Sequence, residues 1–223
     1  VSKKTWIIFA AVCIVVLGGL VVLSKKGQAD VGSIDQNKIV AASAANGNIG
    51  DHVFGNTSGK TTMIEYGDFE CPACKAAYPN VKTVTDQFKD QLTFVFRNNP
   101  LTTIHPNARA GAAAAEAAGL QGKYWEMHDA LYENQDDWGN SSADQRTTYF
   151  VGYARQVGVK DIDKFKTDMS SNQVDTKINF DLALGKKVPV TGTPTILING
   201  KAIDSATWND PGKLKQAVQD ALQ

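Results

Sequence analysis

Cysteine is scarce in this chain. Three residues of 223, at positions 13, 71 and 74, are too few to staple a fold with disulfides and too few for a four-ligand zinc site without histidine. Histidine is equally sparse, with His52, His105 and His128 scattered along the sequence, so no metal site is expected. Charge of one sign is missing as well. Twenty-three Lys plus Arg balance 23 Asp plus Glu, and nothing electrostatic draws the whole chain to nucleic acid. Glycine and proline stay near average while 43% of residues are hydrophobic, which excludes a disordered tail and leaves one or two folded domains.

One long apolar run is present. Trp6 to Leu23 carries only apolar and small side chains between Lys3-Lys4 and Lys25-Lys26, just long enough to cross a bilayer as a helix. Residues 1–26 are therefore expected to form an N-terminal membrane anchor, single-pass in the cell membrane, with the remainder extracytoplasmic. A signal peptide is the alternative, with Gly27-Gln28-Ala29 a mediocre cleavage site. Cys13 lies inside the run and is given no function. Residues 27–59 read as a polar spacer with a short helix near Ile39 to Ala45, and residues 60–223 as the folded domain.

The domain's pattern is α/β. Strand candidates at Thr61 to Tyr66 and Leu92 to Phe96 flank a helix from Pro72 toward Phe88. Helical periodicity then continues through an insertion at about 104–187. The chain returns to β pattern at Thr195 to Ile198, turns on Asn199-Gly200, and pairs back through Lys201 to Ile203. Asp210 and Pro211 open a last helix with Leu214, Val218 and Leu222 on its buried stripe.

Cys71-Pro72-Ala73-Cys74 sits where a strand ends and a helix starts. Unpaired N–H groups and the helix dipole there favour the thiolate of Cys71, and Cys74, one turn on, is placed to resolve a mixed disulfide. Pro72 suits the first helical turn because it has no N–H to leave unpaired. Half of a zinc site and an inert structural disulfide are the competing readings; the first lacks a second pair, and the second closes too short a loop to stabilise much. Glu65, six residues before Cys71, reads equally well as an exposed strand-edge charge or as a buried carboxylate beneath the cysteines. Buried, it would have a raised pKa and could relay the Cys74 proton. At Thr193-Pro194 an ordinary trans bond is favoured on sequence alone, whereas a cis bond would let Thr193 present its backbone to an extended chain.

Four stretches carry a resemblance: Glu65 to Cys74, His105-Pro106-Asn107-Ala108, Ala115 to Gly119 leading to Gly122 through Asp129, and Gly192-Thr193-Pro194-Thr195 leading to Ile198-Asn199-Gly200. Together they resemble the DsbA-type thiol:disulfide oxidoreductases, over about residues 60 to 223, and most closely the membrane-anchored bacterial kind. The resemblance implies a thioredoxin fold with an inserted helical subdomain. It implies Cys71 as the attacking cysteine, Cys74 as the resolving one, Glu65 as the buried acid and Thr193-Pro194 as a cis-proline loop. The best-known enterobacterial pattern has Pro-His between the cysteines; Ala73 stands here instead of histidine, so a less extreme thiolate and a less oxidising disulfide are expected. Thr193 before the proline is similar both to Gram-positive DsbA-like proteins and to disulfide isomerases.

The expected activity is donation of the Cys71-Cys74 disulfide to exported proteins with free thiols, by a monomer that needs no cofactor. A quinone-linked membrane re-oxidase of the DsbB or VKOR type is the partner the resemblance implies. An isomerase or reductase of the same fold is the alternative, and a membrane-tethered binding module without turnover is a third.

Overall fold

The computed structural model describes residues 5–6, 9–10, 12–15 and 31–223. Most of the expected anchor, 1–26, lies outside the described residues. Among the described residues no helix is long and apolar enough to cross a membrane.

A five-stranded mixed sheet organises the domain, in the order β1 (His52–Gly55), β3 (Leu92–Asn98), β2 (Thr61–Gly67), β4 (Thr195–Ile198), β5 (Lys201–Ala202). Its centre is β2 (Thr61–Gly67), buried along nearly its whole length as a central strand must be. From β2 the helix α1 (Pro72–Phe88) crosses over to β3 (Leu92–Asn98), which pairs parallel to β2 with Glu65 opposite Phe96. The crossover is the standard solution for parallel neighbours, which cannot be joined by a tight turn. On the other side of β2, β4 (Thr195–Ile198) runs antiparallel and places Ile196 opposite Glu65. Asn199 and Gly200, with φ of 47° and 78°, form the hairpin to β5 (Lys201–Ala202), which is the turn their sequence predicts.

Between β3 and β4 lies a helical block: α2 (Ala108–Gly119), α3 (Tyr124–Glu133), the one-turn α4 (Gln135–Trp138), α5 (Ala143–Gln156), α6 (Ile162–Asp168) and α7 (Asn172–Lys187). Side-chain caps fix several starts; Ser142 and Gln145 form a capping box at α5, and Asp161 and Ser171 cap α6 and α7. After β5 come the short α8 (Ser205–Trp208) and α9 (Pro211–Leu222), where the Asp210 carboxylate accepts from Gly212 and Lys213 N–H at 2.9 and 3.0 Å. Leu214 and Val218 of α9 are fully buried.

The two faces of the sheet differ. Met63 and Glu65 of β2 share one face with Phe94 and Phe96, beneath α1, α3 and α9. Ile64 and Tyr66 share the other with Val95, Leu197 and the α7 residues Phe180 and Leu184.

The spacer expected at 27–59 does not describe residues 31–59. His52–Gly55 is β1, antiparallel to β3 with His52 opposite Phe96, so the sheet begins before residue 60. Upstream, a 3-10 turn at Ala44–Asn46 replaces the expected short helix, and Val40, Asn46 and Ile49 are buried. The cause is Arg97, an unforeseen buried cation of β3. Its guanidinium donates to the carbonyls of Gln36 and Lys38 at 2.5 and 2.8 Å, to the Tyr66 hydroxyl at 2.9 Å and to Asp51 Oδ2 at 2.7 Å. A polar segment thus stays ordered by satisfying a buried charge, without the apolar periodicity that would announce it.

Candidate active site

β2 delivers the chain to the site, and a turn at 68–70 swings it into α1 with Cys71 as the N-cap residue. Cys71 has extended backbone angles (φ −70°, ψ 123°), and Pro72 occupies the first helical position. That geometry aims the free N–H groups of Ala73 and Cys74 at the Cys71 sulfur. Pro72 and Ala73 are exposed, Cys71 is 6% exposed and Cys74 is fully buried. Both cysteines are free thiols.

The two sulfurs are electrostatically opposite. Cys71 is brought down to about 5, foremost by the hydrogen bond from the Cys74 thiol, against the opposing pull of burial, and with help from Thr193 and the N–H groups of Cys74 and Ala73. Cys74 is pushed well above the ordinary thiol range by burial, by donating to Cys71, and by the charge of Glu65. One residue is a thiolate at neutral pH and its neighbour a thiol.

Glu65 lies under the pair on β2, 3% exposed. Burial, and secondarily the charge on Cys71, raise its carboxyl to about 8. The strand-edge reading of Glu65 is therefore excluded. The Thr193-Pro194 peptide is cis, as the resemblance implied and against the trans bond favoured on sequence alone. Its Thr193 carbonyl is 3.4 Å from Cys71 Sγ, which as a thiol donates to it. The Thr193 hydroxyl is buried with no partner, and it is the donor available to Cys71 once the sulfur ionises. Cys71, Cys74, Glu65 and Thr193-Pro194 thus converge from β2, α1 and the loop before β4. Among the described residues no group of three His, Cys, Asp or Glu side chains is placed to hold a metal.

A supporting layer was not identified from sequence. Asp68 accepts from Leu101 N–H at 2.9 Å and from Glu70 N–H at 2.9 Å, and it holds His105 Nδ1 at 2.7 Å. The Glu70 carboxylate accepts from Asn107 N–H at 2.5 Å, and Asn107 in turn donates to Gly139 and Ser141 carbonyls at 2.9 Å. Gln135 of α4 donates to the carbonyls of Phe69 and Cys71 at 2.7 and 3.1 Å. Asp68, Glu70, His105 and Asn107 tie the active-site turn to the helical block. Their signal lies in Asp68-Phe69-Glu70 and His105-Pro106-Asn107, but polar residues carry no periodicity that pairs them across the chain.

A family model described as thioredoxin matches residues 47–220. Among curated relatives, a Na(+)/H(+) antiporter NhaA 1 of Salinispora arenicola is 38% identical over 151 residues, which is 68% of this chain and 22% of that protein. The chain thus spans about a fifth of the length of the curated relatives it matches. Among solved structures, a thioredoxin-like oxidoreductase from Silicibacter pomeroyi is 27% identical with a TM-score of 0.60, covering 77% of this chain and 90% of that one. BdbD from Bacillus subtilis, in its oxidised form, gives a TM-score of 0.68 at 22% identity, covering 83% of this chain and 97% of its own.

Proposed function

The chain belongs to the thioredoxin family, and from that footing we propose that it is an extracytoplasmic thiol:disulfide oxidoreductase that donates its Cys71-Cys74 disulfide to folding exported proteins. The observation that carries this reading is the unequal placement of the two sulfurs: Cys71 accepts from the Cys74 thiol and caps its helix beside the cis Thr193-Pro194 loop, which together bring it down to about 5, and Cys74 is fully buried above Glu65, which pushes it well above the thiol range. A thiolate so stabilised makes the reduced form favourable and the disulfide oxidising, and it makes Cys71 a good leaving group.

In the forward direction a substrate thiolate attacks Cys71 Sγ of the disulfide. The Cys71–Cys74 bond breaks, a mixed disulfide forms at Cys71, and Cys74 leaves as a thiolate that takes the proton of Glu65. A second substrate thiolate then attacks the substrate sulfur of the mixed disulfide. The substrate gains its disulfide, and Cys71 departs as the thiolate its surroundings favour. Two electrons have passed from substrate to enzyme. A quinone-linked membrane re-oxidase of the DsbB or VKOR type would remove them. The extracytoplasmic, membrane-tethered placement rests on the apolar run Trp6 to Leu23 and on the use of a disulfide donor where cytosolic reducing systems do not act.

The test is the reduction potential of the Cys71-Cys74 pair, equilibrated against glutathione buffers, where about 30 mV is a tenfold change in equilibrium constant. A value clearly more oxidising than glutathione is expected. A reducing, thioredoxin-like value would overturn the donor role in favour of a reductase or isomerase. Cys71→Ser should abolish exchange while leaving any non-catalytic binding intact.

A further inference from the structure

The exchange reading gives Glu65 a proton to take and return, yet Glu65 is buried in the protein. Beside it lies a small cavity of about 30 Å³ between β2, α1 and α3. That is enough for one water molecule, provided polar groups face it. On α3, His128 lines the same cavity and is only 4% exposed. Its ring is boxed by Phe69, Phe96, Trp125 and Tyr132, at centroid distances between 4.9 and 5.5 Å. His128 Nδ1 is 3.0 Å from Asp129 Oδ1, so with a carboxylate there the proton sits on Nδ1 and Nε2 is an acceptor. That Nε2 is buried without a hydrogen-bond partner. A buried, unpaired acceptor on a residue that lines a water-sized space is a feature that calls for an occupant.

The rim of the cavity is charged. Lys82 of α1 donates to Asp129 Oδ2 at 2.8 Å and lies 3.6 Å from Asp86, and all three side chains line the cavity. The other titratable groups on these walls are Tyr78 of α1 and Tyr132 of α3, while Cys71 and Cys74 flank Glu65 on the active-site side and Tyr124 lies deeper on α3. Burial holds the Tyr78, Tyr124 and Tyr132 hydroxyls above their ordinary range, so none of them gives up a proton at neutral pH.

We propose that the cavity holds one water bridging Glu65 to His128 Nε2, and that this bridge carries the Cys74 proton between Glu65 and solvent at the Lys82-Asp86-Asp129 rim. In the re-oxidation direction Glu65, having lost its own proton along the bridge, takes that of Cys74, which becomes the attacking thiolate. Glu65 passes a proton to the water as the water passes one to Nε2. The imidazolium, held at Nδ1 by Asp129, releases its Nε2 proton to water entering from the rim, which restores the neutral ring. Burial keeps the His128 imidazole below its ordinary value, so the imidazolium is short-lived and the ring is returned ready for the next turnover. His128 is thus a positioning residue, remote from the sulfur chemistry.

The proposal rests on the exchange reading, and one experiment separates the two. Reduced protein is mixed with oxidised glutathione from pH 5 to 9, and two steps are followed: formation of the glutathione mixed disulfide at Cys71, and its closure by Cys74. Formation needs only the Cys71 thiolate and should be unchanged in His128→Phe. Closure should slow about a hundredfold at pH 7, the low end of what a positioned proton acceptor contributes, with its pH profile displaced. His128→Gln, whose side-chain carbonyl can hold the water but cannot take up a proton, should stay nearly as slow as His128→Phe. Val81→Leu, which fills the cavity from α1 and leaves every titratable residue in place, should slow closure as His128→Phe does. Unchanged closure in both His128→Phe and Val81→Leu would overturn the bridge, and a His128→Gln protein as fast as the unsubstituted one would overturn the relay through Nε2. Absence of the formation step in the unsubstituted protein would instead overturn the exchange reading and, with it, this inference.

Discussion

Two carboxylates, one on each side of the same sheet, are buried to a similar depth and behave in opposite ways. Asp51, at the Tyr66 side, accepts from Arg97 at 2.7 Å and lies 3.3 Å from Lys177 Nζ. Those two cations overcome the cost of burial and hold it below the ordinary carboxylate value. Glu65, at the Met63 side, faces thiols, aromatic rings and a small cavity, with no cation in contact, and is raised to about 8. Burial alone therefore does not set the protonation state. The supply of counter-charge does. One carboxylate fastens the N-terminal segment, and the other is left able to trade a proton near neutral pH.

The sharpest way to break this contrast is to remove the counter-charge from Asp51. Arg97→Met leaves an incompletely paired carboxylate in the interior and should cost about 3–5 kcal/mol in urea unfolding. It should also make Asp51 behave like Glu65, with stability that falls as pH rises. A loss below about 1 kcal/mol would show that Lys177 alone suffices.

The next largest effect is at Glu65. The unfolded residue titrates near 4.5 and the folded one near 8. Between those values the native state holds a proton that the unfolded chain lacks, so the stabilisation is full below pH 4.5 and is lost as pH rises to 8. The total, spread over that pH range, is on the order of 5 kcal/mol. In the reduced protein Cys71, near 5 when folded and near 9 when unfolded, works in the opposite sense. The difference between Glu65→Gln and the unsubstituted protein at each pH isolates Glu65. That difference should grow in favour of the glutamine between pH 5 and 8, and a flat difference would contradict the raised value. The smallest effect is at Tyr66→Phe, which removes an acceptor of Arg97 at 2.9 Å and should cost about 1 kcal/mol by thermal or urea unfolding.

The same contrast explains what could be read in the chain beforehand. Elements with apolar periodicity or strong punctuation were legible: β2, α1, β3, the Asn199-Gly200 hairpin, and α9 with Asp210 and Pro211 at its start. The cysteine pair was legible because its chemistry lies in adjacent residues. Glu65 was ambiguous, since a carboxylate flanked by Ile64 and Tyr66 sits on either side of a strand until the partner strands are known. The order of the segment at 31–55 is not legible in its own residues because it depends on Arg97, Asp51 and Lys177, which meet only in three dimensions. The place of Gln135 in the turn α4 has no local pattern for a related reason: it is fixed by long-range bonds to the Cys71 and Phe69 carbonyls.

The fastening of the N-terminal segment has a mechanical side. Lys187, at the end of α7, donates to the carbonyls of Val31, Gly32 and Ile34 at 3.3, 3.1 and 2.6 Å, and Arg97 grips Gln36 and Lys38 further along. A pull applied at residue 31 is borne first by Lys187 and only then by Arg97, with the β1–β3 ladder last in line. The segment therefore works as a strain relief of the kind fitted to a cable. Tugging peels single side-chain contacts in sequence, and the sheet that carries Glu65 and the cysteines is spared until the last of them has slipped.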